Sequence, residues 1–261
     1  MTQAPREPGL AQVTPRYLAG GGDPRWVTAP LQQVFRWQIA HAPLSPVVRV
    51  GPRDLTAELH LSPDPDQPWW ILRHLGAGES QAWTMSFGAR TPAETVAAAT
   101  NAFAAGPGTE PPADPAVILE RAGWTSSPLQ THFTSPDEHV HVGHHPDGAW
   151  HIAVSVGVEP WRDTAGTEAV WEARFTDRTP THVVAAFLTD LVSPDPVLRN
   201  ERTMAPALRY SVRIQRERVP AKQAESALWD RVHSLRPRRT SRELPPPSPQ
   251  QPGGPLPRRT R

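Results

Sequence analysis

The sequence predicts an α+β protein of two tandem, similar units. Each is expected to be a four-stranded, mainly antiparallel sheet with one helix packed on a face, and a disordered tail follows. Three observations lead to this. The first is a repeat: Trp83 to Ala98 returns as Trp171 to Ala186 at a constant offset of 88 residues, with eight identities that include Trp83/Trp171, Phe87/Phe175 and Arg90-Thr-Pro92/Arg178-Thr-Pro180. The second is a change of period inside each copy. Trp83, Met85 and Phe87, like Trp171, Ala173 and Phe175, alternate with polar residues, as in a half-buried strand. The apolar positions after the prolines then recur at helical spacing: Val96, Ala99, Thr100 and Phe103 in one copy, Val183, Val184, Phe187, Leu188 and Leu191 in the other. The third is a charge asymmetry. Residues 197–261 hold 15 Lys plus Arg against 5 Asp plus Glu, and residues 1–196 hold 12 against 21, so the C-terminal stretch is electrostatically a separate object.

Taken in order, residues 1–16 are polar and proline-broken and predict disorder. The first unit covers residues 17–106. It opens on Tyr17-Leu18-Ala19-Gly20-Gly21-Gly22-Asp23-Pro24, read as a turn, because a phosphate-binding loop would need a Lys-Ser/Thr and a helix where Asp23-Pro24 stands. Val34 to Ile39, with Trp37, is a short strand or helical turn, and Trp124 matches Trp37 in the second copy. Strands are expected over Val47–Val50, Thr56–Leu61, Trp69–Leu75 and Trp83–Phe87, the face of Trp69 being grouped with that of Phe87. Because Trp70 and Leu72 point to the other side, this sheet is expected to be apolar on both faces and to need cover from the N-terminal segment or the second unit.

Thr91 and Thr179 are expected to cap the two repeat helices, with Pro92 and Pro180 at the first helical position and Glu94 completing a capping box in the first copy. Gly106 and Ser193-Pro194 end these helices. Residues 106–115 form a linker. The second unit covers residues 116–196, with strands over Thr131–Thr134, His139–Val142, Trp150–Val156 and Val170–Phe175 and a longer loop around Glu159 to Glu168. Residues 197–235 read as a helical extension with helices over Ala205–Val219 and Ala221–Leu235. Residues 236–261 form a basic, Arg/Pro-rich disordered tail.

The Tyr17-to-Val27 segment, the Ser135-Pro136-Asp137 turn and the doubled Trp-x-x-x-Phe-x-x-Arg-Thr-Pro motif resemble the SPDY-type domain-of-unknown-function proteins of filamentous actinomycetes, which commonly carry two such units. The resemblance covers roughly residues 14–195. It implies a tandem-unit fold and brings no activity with it. The first copy has Gly51-Pro52-Arg53 where the Ser-Pro-Asp turn is expected.

Chemistry is sparse. There is no cysteine, which excludes disulfide and thiolate-metal scaffolds and suits a reducing, cytoplasmic setting. No apolar run approaches a membrane span, and the N-terminus has no signal-peptide pattern. His139, His141, His144, His145 and His151 allow a metal site geometrically, yet alternation puts Val140 and Val142 inward and reads the histidines as a wet strand face. Arg90 and Arg178 are read as bracing the strand-to-helix turn, with anion recognition as the alternative. The tryptophans are read as core. No Gly-x-Ser-x-Gly elbow is present, so no residue is singled out as catalytic, cofactor-binding or metal-ligating. The expectation is a non-catalytic binding or adaptor protein with a protein partner. One alternative is nucleic-acid association through Arg236, Arg238, Arg239 and Arg242. The other is an enzyme with a site between the repeats.

Overall fold

The computed structural model describes residues 10–40, 45–62, 64, 68–76, 81–156, 169–200, 204, 208–209 and 211–236. The loop around Glu159 to Glu168, the first nine residues and the tail from residue 237, with Arg238, Arg239 and Arg242, lie outside the described residues. In the first unit, helix α1 (Arg25–Gln33) leads into strands β2 (Gln38–Ala40), β3 (Val48–Gly51), β4 (Ala57–Leu61), β5 (Trp70–His74) and β6 (Trp83–Phe87), then helix α2 (Ala93–Ala105). The second unit repeats that order: α3 (Pro115–Arg121), β7 (Thr125–Ser126), β8 (His132–Thr134), β9 (Val140–His144), β10 (Trp150–Val154), β11 (Trp171–Phe175) and α4 (Thr181–Leu191). Each unit therefore has five strands and two helices, where the sequence pattern predicts four and one. The strands and helices beyond expectation are short and lie at the units' N-terminal edges. Asp114, whose side chain accepts from the Ala116 amide at 2.9 Å, caps α3 within the last residues of the expected linker.

The larger correction concerns the sheets. They do not stand apart: all ten strands form one antiparallel sheet in the order β2-β3-β4-β5-β6-β11-β10-β9-β8-β7. The two Trp-x-x-x-Phe strands, β6 and β11, pair with each other, with Ser86 opposite Arg174, Met85 opposite Phe175 and Phe87 opposite Ala173. Residues 86 and 174 are themselves counterparts at the repeat offset, so a local two-fold axis passes between them and exchanges the two units. An edge strand presents unpaired N–H and C=O groups, and this pairing removes one such edge from each unit.

The helices form one connected layer in the order α3-α4-α2-α1-α5, where α5 is Ala221–Ser234. The core lies between this layer and the sheet face of Trp70, Leu72, Trp83, Met85, Phe87, Trp150, Ile152, Trp171 and Phe175, all buried. Trp70, opposite Phe87, is the counterpart of Trp150, opposite Phe175; Trp69 lies off that face and is partly buried. The Trp70/Leu72 face is thus the core face, covered by the unit's own helices. At the centre, the Phe187 ring stacks on Phe87 at 5.5 Å and meets Phe175 edge-on at 5.1 Å. The space between the two units is filled by these rings. The Trp37/Trp124 correspondence is reproduced: both are buried immediately before the first strand of their unit.

A three-stranded sheet, β12-β1-β13, completes the fold from β1 (Leu10–Thr14), β12 (Val197–Arg199) and β13 (Arg213–Val219). Two expectations fail here. Residues 10–14 are a central strand with Ala11 and Val13 fully buried. Residues 213–219 are a strand, because pairing with β1 outweighs local helix propensity. The Ala221 helix is present. Among the described residues, no helix is long and apolar enough to cross a membrane.

Candidate functional site

The glycine run acts as a strap. Gly20 and Gly22 have φ of +79° and +84°, a region that glycine enters without steric cost. A Cβ on Gly21 would lie 2.7 Å from the Ala89 carbonyl oxygen, so only glycine permits the approach. The gain is at the start of α2, where the Ala93 amide donates to the Gly21 carbonyl at 2.6 Å. Backbone thereby does what Thr91 was expected to do. The helices begin one residue later than predicted, Pro92 and Pro180 stand at the cap positions without side-chain cap bonds, and the Thr91 and Thr179 hydroxyls are buried without a partner.

Glu94 is also not a capping-box residue. Its two carboxylate oxygens accept from Nη1 and Nη2 of Arg199 at 2.8 and 2.7 Å, with the two side chains only 7% and 5% exposed. Arg199 Nε donates to the Gly20 carbonyl at 3.0 Å, and its guanidinium packs against Gly22, where a Cβ would come within 2.8 Å of Cζ. A second internal pair, Arg16 with Asp190, lies beside it, and the Thr95 hydroxyl donates to the other Asp190 oxygen at 2.8 Å. These bonds fasten β12 to α2 and the N-terminal segment to α4. Removing one partner from a buried pair strands the other charge, at a cost of about 3–5 kcal/mol.

Arg231, on α5, joins this cluster from above. Burial pushes its guanidinium below the ordinary arginine range, against the opposing attraction of Asp190 and Glu94. Near the Glu94 and Asp190 carboxylates there are thus three guanidiniums, those of Arg16, Arg199 and Arg231.

A shallow cleft of about 540 Å³ opens beside the strap, lined by Tyr17, Trp124, Pro136, Asp137, Ser193 and Arg213 among others. The Tyr17 hydroxyl donates to Asp137 Oδ2 at 2.6 Å, and the Ser135 hydroxyl donates to Oδ1 at 2.6 Å. Burial, reinforced by the adjacent carboxylate, pushes the Tyr17 phenol far above its usual range. The Trp171 indole donates to the Tyr17 carbonyl at 2.8 Å. Strap, Ser-Pro-Asp turn and repeat tryptophan, separate in the sequence, therefore meet at one residue. The first unit keeps this turn in another register: Leu55 and Glu138 both have positive φ, and Asp54, like Asp137, accepts from the amide two residues on. The counterpart of Ser135-Pro136-Asp137 is Pro52-Arg53-Asp54.

The opposite sheet face is polar and carries side chains in register across both units. One row runs Arg49, His60, Ile71, Ser86, Arg174, His151, Gly143, His132, from β3 to β8. Glu58 pairs with His60 at 2.7 Å and with Arg49 at 3.7 Å; Glu172 pairs with Arg174 at 2.8 Å and with His151 at 3.3 Å. His139, His141, His144, His145 and His151 do not converge. His144 stacks on Trp150 at 4.2 Å on the core side, whereas His141 is on the polar face yet buried, so the wet-face reading fails for these two. Among the described residues, no three His, Cys, Asp or Glu side chains are placed to hold a metal ion. Arg90 and Arg178 are exposed and do not brace the turns as expected: Arg178 reaches only its neighbour Asp177, at 3.5 Å, and Arg90 makes no hydrogen bond or ion pair among the described residues.

Sequence reasoning missed the Arg16–Asp190 and Glu94–Arg199 pairs, whose partners lie 174 and 105 residues apart. Glu94 beside a helix start had a more local explanation, and nothing in the chain near Arg199 marks it as buried.

Comparison with known proteins places the repeat. The family model SPDY, a domain of unknown function (DUF317), matches twice, over residues 53–109 and 134–197. Each match takes in three strands and the helix that follows, β4 to α2 and β9 to α4. No curated protein and no solved structure matches the chain. The two halves of the ten-stranded sheet each contain one of these matches, so the chain carries two tandem SPDY-type units.

Proposed function

We propose that this protein is a non-catalytic binding or adaptor module, and that another protein docks on the helix-free face of its ten-stranded sheet. The observation that carries this reading is the registered row from Arg49 to His132, polar except at Ile71 and Gly143, which crosses both units and the axis between them. Eight strands about 4.8 Å apart span about 34 Å, enough for one side of an ordinary protein interface. Arg49, Arg73 and Arg174 alternate there with Glu58 and Glu172, a mixed charge that suits a protein surface better than a phosphate backbone. The groups an acid–base step would draw on at the clefts, such as Asp137 and Asp190, are engaged in internal bonds, which favours binding over turnover. A cytoplasmic location accompanies this reading. The test is cross-linking and affinity capture from producing cells with the wild type and with Arg73→Glu/Arg174→Glu, both exposed positions. The variant should keep its thermal transition and lose the partner; a partner held equally by both proteins sinks the sheet-face reading.

A second reading, nucleic-acid association through the basic tail, is favoured by the six arginines set against the single Glu243 in residues 237–261. Arg236 lies two residues beyond the end of α5, and Arg238, Arg239 and Arg242 follow it in the sequence. The truncation that tests it begins at residue 237, since β12, β13 and α5 are integral to the fold. DNA binding that falls steeply with salt and disappears on that truncation supports it; binding unaffected by truncation excludes it.

A further inference from the structure

The local two-fold axis that passes between Ser86 and Arg174 emerges on the other side of the molecule between α2 and α4. A cleft of about 700 Å³ lies there, and its wall includes Ala98 and Ala186, counterparts at the repeat offset of 88. These alanines and Val192 give it an apolar floor, and Arg16, Asp190, Asp195 and Arg231 bring charge to it.

The close ion pairs leave one guanidinium over. Arg199 is matched by both oxygens of Glu94, and Asp190 spends its oxygens on Arg16 and the Thr95 hydroxyl. Arg231 is the remainder. It is half-buried, its guanidinium lies over the Trp26 ring at 5.4 Å, its Nε is buried without a partner, and its side chain makes no hydrogen bond or ion pair among the described residues. A guanidinium withdrawn from water and left without an acceptor is unfavourable, and its planar fork matches the two oxygens of a carboxylate. Ser193 presents a hydroxyl at the same wall, already bonded to exposed Asp195 at 3.2 Å. With Asp190 and Asp195 close by, a dianion meets more repulsion than a monoanion does.

We propose that this cleft binds a small monoanionic carboxylate with an apolar body, the carboxylate on Arg231 and the body on Ala98, Ala186 and Val192. The site is independent of the sheet face and stands or falls apart from the docking reading. Benzoate is a suitable probe, with benzamide as its neutral isostere and inorganic phosphate as a more highly charged anion. Calorimetric titration of the full chain should detect benzoate in the millimolar range, as befits so small a ligand. Benzamide and phosphate should bind at least about tenfold more weakly. Arg231→Gln should weaken benzoate by at least about tenfold while lowering the melting temperature of the free protein by no more than a few degrees, because the guanidinium gives up its place over the Trp26 ring but no internal hydrogen bond or salt bridge. A purely structural Arg231 would give the opposite pattern, a lower melting temperature and no benzoate binding to the wild type. Should Arg231→Gln fail to fold, the arginine Nε–H resonances of the wild type decide: benzoate should shift that of Arg231, and a titration that leaves it in place overturns the proposal. Phosphate binding as tightly as benzoate also overturns it.

Discussion

Helices α2 and α4 are counterparts in the repeat, yet they hold the molecule together by different means. Helix α4 supplies bulk: Phe187, Leu188 and Leu191 are fully buried against the sheet. Helix α2 has Ala99, Thr100 and Phe103 at those positions and is buried on almost every side, Ala93 to Ala97 and Ala99 to Asn101 included. A helix lying between α1 and α4 and beneath the strap must be narrow, which explains the alanines. Its attachments are polar instead, through Glu94 to Arg199 and Thr95 to Asp190, where α4 has His182 and Val183. The turns diverge in the opposite sense. Asp54 holds only its own turn, while Asp137 also takes the Tyr17 hydroxyl. One backbone plan therefore serves two roles: the second unit provides the apolar anchor and holds Arg16 and Tyr17, while the first fastens the glycine strap and β12.

That contrast can be broken most severely at Glu94. Glu94→Ala should lower stability in urea unfolding by about 3–5 kcal/mol because Arg199 is left buried and unpaired, whereas His182→Ala, at the partly exposed counterpart, should cost under about 1 kcal/mol. Equal losses would mean that the two helices are not specialised. Phe187→Ala should cost about 3–5 kcal/mol through the cavity left between Phe87 and Phe175, and the reciprocal Ala99→Phe should cost about 1–3 kcal/mol by overpacking; stabilisation by Ala99→Phe would disprove the tight fit of α2.

Smaller effects sharpen the comparison. Tyr17→Phe should cost about 1.5–3 kcal/mol, as expected for a hydrogen bond to a carboxylate. Burial and Asp137 raise the Tyr17 phenol in the folded state, so its contribution is complete below the ordinary tyrosine value of about 10 and declines as pH rises above it. Absorbance titration should find one of the two tyrosines resisting ionisation until the chain unfolds. Asn101, on α2, is buried with both amide atoms unpartnered among the described residues, so Asn101→Leu should raise stability by about 1 kcal/mol. Glu172 is the smallest case. Burial raises its carboxyl, but bonds from Arg174 and His151 outweigh that and leave it below the usual range. Its contribution is present above the unfolded carboxylate value and lost as pH falls through the lower folded one, and it should be under about 1 kcal/mol because the group is 40% exposed.

The repeat, the strands and helices of both units and the hydrophobic role of the tryptophans were legible because they rest on periods of two and 3.6 that recur at one offset. Trp83, Phe87 and Val96 carry those patterns locally, and so do their counterparts. What could not be read depends on partners distant in the chain. Nothing near Ser86 says that its strand edge meets Arg174 of a second copy, and the Leu10–Thr14 stretch alternates too briefly to stand out from its polar surroundings. The glycine run was legible as a turn but not as a strap, since its purpose lies in the Ala89 carbonyl and the Arg199 guanidinium. Of the sites, the histidines were visible and proved dispersed, while the Arg16, Arg199 and Arg231 cluster exists only once three separate segments have folded together.

The register at Ser86 and Arg174 also bears on history. Two identical chains, each carrying one copy, could meet through this strand edge as an isologous homodimer, every contact occurring twice. Joining the copies in tandem makes that association intramolecular, so the assembly no longer depends on protein concentration. It also frees each half from obligatory self-complementarity. A charge such as Glu94 can then acquire a partner that its twin lacks, and the single Arg231 can sit beside an axis that symmetry would otherwise force it to share with a duplicate of itself.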